Sequence, residues 1–136
     1  MKTFKLKQLH IVDLESDTYE YTSVPLLDGL IINREDNENR WLVEAYVEGR
    51  QMPYFQDLKS KYEELIIHVR ITTESNELAT CIASIIGINK IGDHMNVLLL
   101  GKMVDRRTAK LENELVKLTN EGYRGEELLK KFKSDL

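Results

Sequence analysis

The side chains that could perform acid–base or metal chemistry are few and scattered. The three histidines, His10, His68 and His94, are far apart in the sequence and show no spacing typical of metal ligands. His10 and His68 each take one position in an alternating, strand-like pattern, and His94 lies in a turn. A surface or half-buried role for each therefore explains them better than a catalytic triad or a metal site.

Adjacent carboxylates do not form a convincing catalytic pair either. Glu63 and Glu64 stand in a strand-like stretch, where neighbouring side chains point to opposite faces. Glu126 and Glu127 suit the positive N-terminal end of a helix. The acidic turn at 35–38 lacks the spacing of a calcium loop, so we interpret it as a solvated turn.

The single cysteine, Cys81, excludes an intramolecular disulfide and lies inside a strand pattern, where we expect a small buried apolar side chain. The sequence contains no Walker-type phosphate loop, no Gly-x-Gly-x-x-Gly, no His-Glu-x-x-His and no nucleophile-elbow pentapeptide. We therefore predict no catalytic, cofactor-binding or metal-binding residues, no cofactor, and a protein that is not an enzyme.

Composition narrows the class of protein. The 136 residues are 42% hydrophobic and 31% charged, as expected for one globular unit with a real core. The net charge of -4 gives non-specific nucleic-acid binding no electrostatic basis. No apolar run approaches the roughly 18 residues needed to span a membrane, and the start at 1–4 leads into alternation rather than an apolar leader. We expect a cytoplasmic protein without a membrane span or a nucleic-acid partner.

Most of the chain carries the two-residue period of β-strands. Alternation runs through 65–72, 78–88 and 95–100, with turns at 73–76 and 92–94, which predicts an antiparallel meander. In the first half, a phase change near Gln8 is typical of a β-bulge. Asp28-Gly29 is interpreted as a turn before a strand at 30–32. The clearest half-buried strand should face the core with Trp41, Val43 and Val47. The segment 49–62 is less regular, and a short helix is possible there.

After Met103 the period lengthens to that of a helix. Leucines at three- and four-residue spacing predict a first helix with Asp105 as its N-cap. Gly122 offers the left-handed position that ends helices, and Arg124 would cap a second helix. The chain is thus predicted to be mainly β with a C-terminal α-helical pair: a sandwich or barrel at 1–103 and a two-helix hairpin at 104–136 packed on it as one structural unit.

Several segments resemble the YwpF-like proteins of Gram-positive bacteria. The resemblance lies in the start Met-Lys-Thr-Phe-Lys-Leu, in 27–33, in 41–46 and in the C-terminal helix pair, and it covers essentially the whole chain. It implies an antiparallel β-barrel followed by two helices, with a barrel similar to the ring-forming tube proteins of type VI secretion. Its motifs are structural, so it implies no catalytic residues, and a shared fold does not carry a function with it.

Two functional hypotheses follow from these observations. The first is a protein-interaction or scaffold module that contacts itself or another protein, since the C-terminal segment has a generous supply of leucines for one buried face. The alternative is a barrel that holds a small apolar ligand inside. The interior volume discriminates between them, because no ligand fits if the residues expected to point inward, Leu65, Ile67, Ile82 and Val97, fill the barrel.

Overall fold

The computed structural model describes all residues from 1 to 136 and contains seven strands, three α-helices and one 3-10 turn at Gly49–Gln51. The strands are β1 Lys2–Val12, β2 Tyr21–Ser23, β3 Asp28–Asn33, β4 Arg40–Glu48, β5 Leu65–Ile71, β6 Ala79–Ile91 and β7 His94–Met103. The helices are α1 Met52–Lys61, α2 Thr108–Asn120 and α3 Gly125–Ser134. None of the helices has the length and apolarity that crossing a lipid bilayer requires.

Six of the strands close into a barrel. Their order is β1-β3-β4-β7-β6-β5, and β5 returns to pair with β1. Every pairing is antiparallel, and the short β2 only extends the sheet beside the end of β1. The prediction of an antiparallel barrel followed by a helix pair is therefore confirmed.

A bulge in β1 lets this strand pair with β3 along one part of its length and with β5 along the rest. Lys2 to Lys5 pair with β3, whereas Leu6 to Ile11 pair with β5, and the β1–β5 register shifts between Leu6 and Gln8. The extra residue, Lys7, moves the apolar positions of β1 from one phase to the other, so that Leu6, Leu9 and Ile11 are all buried. The phase change predicted near Gln8 is this bulge.

Apolar side chains fill the interior of the barrel. Leu65, Ile67 and Val97 are fully buried as predicted, but Ile82 is directed outward. Leu65 pairs with Ala83 and Ile67 with Cys81, so this register gives the inward positions of β6 to Ala83 and Cys81. The other inward residues without exposed surface are Leu9, Ile31, Val43, Ala45, Val47, Val69, Met95 and Leu99.

One further local prediction is corrected by the strand register. Asp28 and Gly29 form no turn; they pair with Tyr46 and Ala45 as the first residues of β3. A Cβ on Gly29 would stand 2.9 Å from the Leu6 Cβ, so this glycine permits a close approach between strands. Trp41 faces the core as predicted and is half-buried at the rim, where it stacks on Phe4 with ring centroids 6.2 Å apart.

The connection at 49–62 contains the short helix that its aromatic spacing had suggested. Pro53 stands in the first turn of α1, where its missing N–H costs no hydrogen bond. Phe55 is fully buried and belongs to the single hydrophobic core cluster. This helix therefore adds a side chain to the core as well as joining β4 to β5.

The starts of the two C-terminal helices agree with the sequence prediction for α3 but not for α2. Asp105 is not the N-cap of α2, because Val104 N–H still bonds Thr80 O and the helix starts only at Thr108, after Arg107. Gly122 has the left-handed conformation predicted for it, with φ of +98°. Arg124 is the extended N-cap residue of α3, as expected.

The helix pair covers the outer face of β5 and β6. Its buried apolar residues belong to the same core cluster as the barrel and include Leu111, Leu115, Leu118, Leu128, Leu129 and Phe132. Because the barrel core packs on one face of β5 and the helices on the other, β5 is buried continuously from Leu65 to Val69. The helices thus complete the fold of the barrel wall on which they lie.

We expect Leu115→Asp to lower the free energy of unfolding by about 3 kcal/mol or more, because it places a carboxylate where no side-chain surface is exposed. The matched control is Val116→Asp, the next residue on the same helix, whose side chain is 41% exposed. This control should stay within about 0.5 kcal/mol of the wild type. Thermal and urea melts measure both, and equal effects would show that Leu115 is not buried by the barrel.

Candidate functional site

The fold brings two of the three histidines together. His10 on β1 and His68 on β5 are direct partners in the strand pairing that closes the barrel, and both are buried on its outer face under α2. His94 lies apart from them, in the closing pair of the β6–β7 hairpin opposite Ile91. Sequence spacing alone did not indicate the His10–His68 pairing, because it depends on the bulge in β1.

A chain of hydrogen bonds, the His68 network, joins a loop, two strands and a helix; its members are Glu112, Tyr19, His68, Thr80, Thr108 and the carbonyl of Leu78. The Tyr19 hydroxyl lies 2.8 Å from Glu112 Oε2 and 2.9 Å from His68 Nε2. On the other side of the ring, His68 Nδ1 lies 2.9 Å from Thr80 Oγ1. Thr80 Oγ1 then contacts Thr108 Oγ1 at 2.9 Å, and Thr108 donates to Leu78 O at 2.7 Å.

Counting protons shows an unusual property of this network. It has five contacts, and both of its ends, a carboxylate and a carbonyl, can only accept. A neutral His68, Tyr19, Thr80 and Thr108 supply one proton each, which makes four. A fifth proton, on His68 or on Glu112, would complete every hydrogen bond.

Burial opposes that fifth proton on the histidine. Desolvation lowers the pKa of His68 to about 4, although the charge of Glu112 acts in the opposite direction. Burial and the bond to Glu112 raise the pKa of the Tyr19 hydroxyl well above its usual range. At neutral pH the ring is therefore uncharged, and one contact of the network carries no proton.

The second histidine is held by stacking rather than by hydrogen bonds. His10 stacks on Tyr21 with ring centroids 4.4 Å apart and an interplanar angle of 15°. Its Nδ1 atom is buried without a hydrogen-bond partner, and burial followed by the charge of Arg70 lowers its pKa. This ring also favours its neutral form, since charging it would leave a buried cation without a partner.

The geometry of the network suits a structural role, in which it holds α2 on the barrel, better than a catalytic one. The His68 side chain is 1% exposed, so no reactant can approach either ring nitrogen in this conformation. Glu112 is its half-exposed end and also lines a surface groove of about 470 Å³ with Arg70 and Arg107. Tyr19 and Glu112 were not predicted, because they lie 49 and 93 residues from their partners.

The other candidate residues from the sequence stay separate. Cys81 is buried as predicted, and burial raises the pKa of its thiol to about 12. Glu64 bonds Lys133 at 2.6 Å, and Glu63 is exposed beside it. In the acidic turn, Asp36 accepts hydrogen bonds from Glu38 N and Arg40 N. No group of three or more His, Cys, Asp or Glu side chains is arranged to hold a metal ion.

The outer surface has an apolar groove of about 610 Å³, the wall groove, between the β6–β7 face and the end of α3. Its apolar members are Ile82, Ile86, Leu100, Met103, Val104 and Leu136. Its charged members are Arg40, Glu64, Lys102, Asp105 and Lys133. Ile86 is 51% exposed and Leu136 44%, which is high for large apolar side chains.

Next to this groove the barrel leaves one long strand edge unpaired. β6 pairs with β5 only from Ala79 to Ala83, whereas its pairing with β7 continues to Ile91. The segment 84–91, the free edge, therefore has a strand on one side only. A closed barrel normally has no such edge. The segment also contains a bulge, where the β6–β7 register shifts between Ile85 and Gly87, and α1 contacts β6. Bulges and covering helices keep natural strand edges from pairing.

Comparison with known proteins decides the family. The profile of the YwpF-like protein family matches residues 2–135. The chain belongs to the YwpF-like family. It is 40% identical over 136 residues to a Bacillus subtilis (strain 168) relative described as uncharacterized protein YwpF, with all of both chains covered.

The YwpF-like fold is also present in a solved structure. A crystal structure of a hypothetical protein from Staphylococcus aureus has a TM-score of 0.72 and 28% sequence identity to this chain. The match covers 98% of this chain and 91% of that one. The resemblance inferred from the sequence is thus confirmed for the family and for the barrel, and the functional argument depends on the surfaces of this YwpF-like chain.

Tyr19→Phe should lower the free energy of unfolding by about 1 to 3 kcal/mol, because it removes the hydroxyl that joins His68 Nε2 to Glu112. The matched control is Tyr21→Phe, which lies outside the network and is 48% exposed. The control should change stability by less than about 0.5 kcal/mol. Similar losses in the two variants, measured by urea denaturation, would contradict the role given to the network.

Stability should also fall in acid because of His68. Its pKa is about 4 in the folded chain against an ordinary 6.5, so the unfolded chain binds the proton more tightly. The stabilising effect is complete above pH 6.5 and is lost as the pH falls towards 4, a change of about 3 kcal/mol. Urea melts at several pH values measure it. His68→Gln should flatten this part of the profile, and an unchanged slope would count against the assignment.

Proposed function

We propose that this YwpF-like protein is a non-enzymatic protein-interaction or scaffold module, and that the wall groove with the adjoining free edge is its contact surface. The single observation that carries the proposal is the wall groove itself. It has a volume of about 610 Å³, and its apolar floor is bordered by charges of both signs. Protein interfaces have this arrangement of an apolar centre within a polar rim. Exposed apolar patches of this kind commonly mark sites that contact another protein.

The arrangement of the interior favours an outside contact over an enclosed ligand. The inward residues are packed side by side, and many of them have no exposed surface. Five cavities of about 260 to 860 Å³ are lined by residues of the helices, loops and strand surfaces, and none of them includes Leu65, Ile67 or Val97. A small ligand, the alternative hypothesis, would therefore have to bind on the outer wall rather than inside the barrel.

The enclosure of the one acid–base cluster supports the non-enzymatic part of the proposal. Catalysis by a histidine requires it to come within hydrogen-bond distance of the reacting group. His68 already uses both ring nitrogens for Tyr19 and Thr80 and has almost no exposed surface. Its contacts are those of a residue that fixes the position of α2.

The likeness to ring-forming tube proteins of type VI secretion is consistent with an assembly role, and it enters here as an analogy of fold only. Rings and tubes of barrels require contacts between outer walls, which is where the groove and the free edge lie. A free, buried cysteine fits the cytoplasmic setting that we propose for the protein.

Photo-crosslinking in the native bacterium tests the proposal. A photoreactive phenylalanine analogue at Ile86, on the groove, should give discrete covalent adducts with protein, because this side chain would be covered by the partner. The matched control carries the same analogue at Val116, which is similarly exposed on α2 outside the groove, and should give none. Irradiated samples without any adduct at position 86 would overturn the proposed contact surface. An adduct of twice the chain mass and an adduct with another protein both support it.

A further inference from the structure

The wall groove has the size and the polarity of a small-molecule site. We propose that it binds the free anion of a medium- or long-chain carboxylic acid, with the carboxylate at Lys102 and the acyl chain along the apolar floor towards Ile86. This inference goes beyond the proposed contact function, because binding of the carboxylate needs no protein partner. Since both would use the same surface, the ligand and a protein partner would exclude each other.

The groove is large enough for such a chain. Its volume of about 610 Å³ lies within the range of small-molecule sites, roughly 300 to 1,000 Å³. Its floor consists of outward side chains of β6 and β7, which are Ile82, Ser84, Ile86 and Leu100. Along β6 this floor is roughly 13 Å long, so a medium-chain acid can lie on it in extended form.

Two cations stand side by side next to this floor. Arg40 on β4 and Lys102 on β7 are direct partners in the strand pairing, so both side chains project from the outer face. Like charges directly opposite each other destabilise a sheet. Asp36 and Glu38 lie 3.0 and 3.1 Å from the Arg40 Nε atom, but no carboxylate forms an ion pair with Lys102. Lys102 is therefore a cation that still lacks a counter-charge.

The remaining charges of the groove do not offer a second place for a carboxylate. Lys133 is already paired with Glu64, with its Nζ atom 2.6 Å from Oε1. Asp105 lines the groove just past the end of β7, on the side away from Ile86, and its negative charge repels an anion there. The carboxylate is therefore expected at Lys102, with the acyl chain directed the other way, towards Ile86.

An acyl chain would cover apolar side chains that water now reaches. Ile86 is 51% exposed and Leu136 44%, so contact with methylene groups removes apolar surface of both protein and ligand from water. Lys102 is exposed at the rim, so the carboxylate keeps part of its hydration and no charge is buried. At the ligand efficiency of drug-sized molecules, a twelve-carbon acid should bind with a dissociation constant of about 0.1 to 1 mM.

An amide NMR titration of the purified full chain with dodecanoate, kept below its critical micelle concentration, tests the inference. The shifts should saturate and centre on the wall groove. Dodecylammonium has the same chain with the opposite charge, and butyrate has the carboxylate with little chain. Each of these two control ligands should bind at least about tenfold more weakly than dodecanoate.

Two substitutions with matched controls test the head and the tail separately. Lys102→Glu should weaken dodecanoate binding at least about tenfold, and it should fold, because it places an opposite charge beside Arg40. Its control is Lys7→Glu, an exposed lysine on β1, which is three strands from β7 around the barrel. Ile86→Asp should also weaken binding at least about tenfold, against Val116→Asp, which is similarly exposed on α2. Both controls should change the dissociation constant less than about twofold.

The inference is overturned if 10 mM dodecanoate, about ten times the upper limit expected for the dissociation constant, causes no shifts. Shifts centred elsewhere, equal affinity for dodecylammonium, or equal affinity in the Lys102→Glu and Lys7→Glu variants would overturn it as well. If Lys102→Glu does not fold, Lys102→Gln replaces it, with an expected loss of at least about threefold; an unchanged affinity contradicts the assignment.

The failure of this inference and the failure of the proposed contact function give different results. Dodecanoate binding at the groove without a crosslinked adduct at Ile86 leaves the ligand site standing and removes the protein contact. An adduct with protein in the absence of any dodecanoate binding does the reverse.

Discussion

The fold depends on one strand that must pair along both of its edges. β1 bonds β3 with its first residues and β5 with the rest, and only the bulge at Lys7 allows both pairings to direct apolar side chains inward. Without the β1–β5 ladder the sheet would stay open, and the inward residues of six strands would lose their shared core. The same ladder sets His10 against His68 and so places the polar network under α2.

Because β5 is covered on both faces, the polar side chains on its outer face are buried, and the His68 network supplies their hydrogen-bond partners. The outer face of this wall carries His68 and Thr80, which the helix pair removes from water. Buried polar groups cost free energy unless they are hydrogen-bonded, and Tyr19, Glu112 and Thr108 come from other parts of the chain to meet them. Packing of leucines and satisfaction of these groups thus act together in holding the helices.

Alternation and its change of period predicted most of the architecture, because strands and helices bury side chains at different intervals. The errors arose where a tertiary contact overrides a local signal. Gly29 is needed for its closeness to Leu6 rather than for a turn, Asp105 follows a strand that still bonds Thr80, and Ile82 follows the register of β5. The partners of His68 could not be predicted, since nothing local links residues 49 and 93 positions apart. The free edge also required the register, because only the unequal lengths of β5 and β6 reveal it.

The single cysteine can report how often the barrel wall around it opens. Cys81 lies near the start of β6 between Ile67 and Met103, without exposed surface, and its thiol keeps its proton far above neutral pH. A thiol reagent reacts with the thiolate, so it must wait until the barrel wall separates around Cys81. The rate at which an alkylating probe modifies the chain therefore reports how often the β5–β6–β7 wall opens, even inside living cells and without any added label.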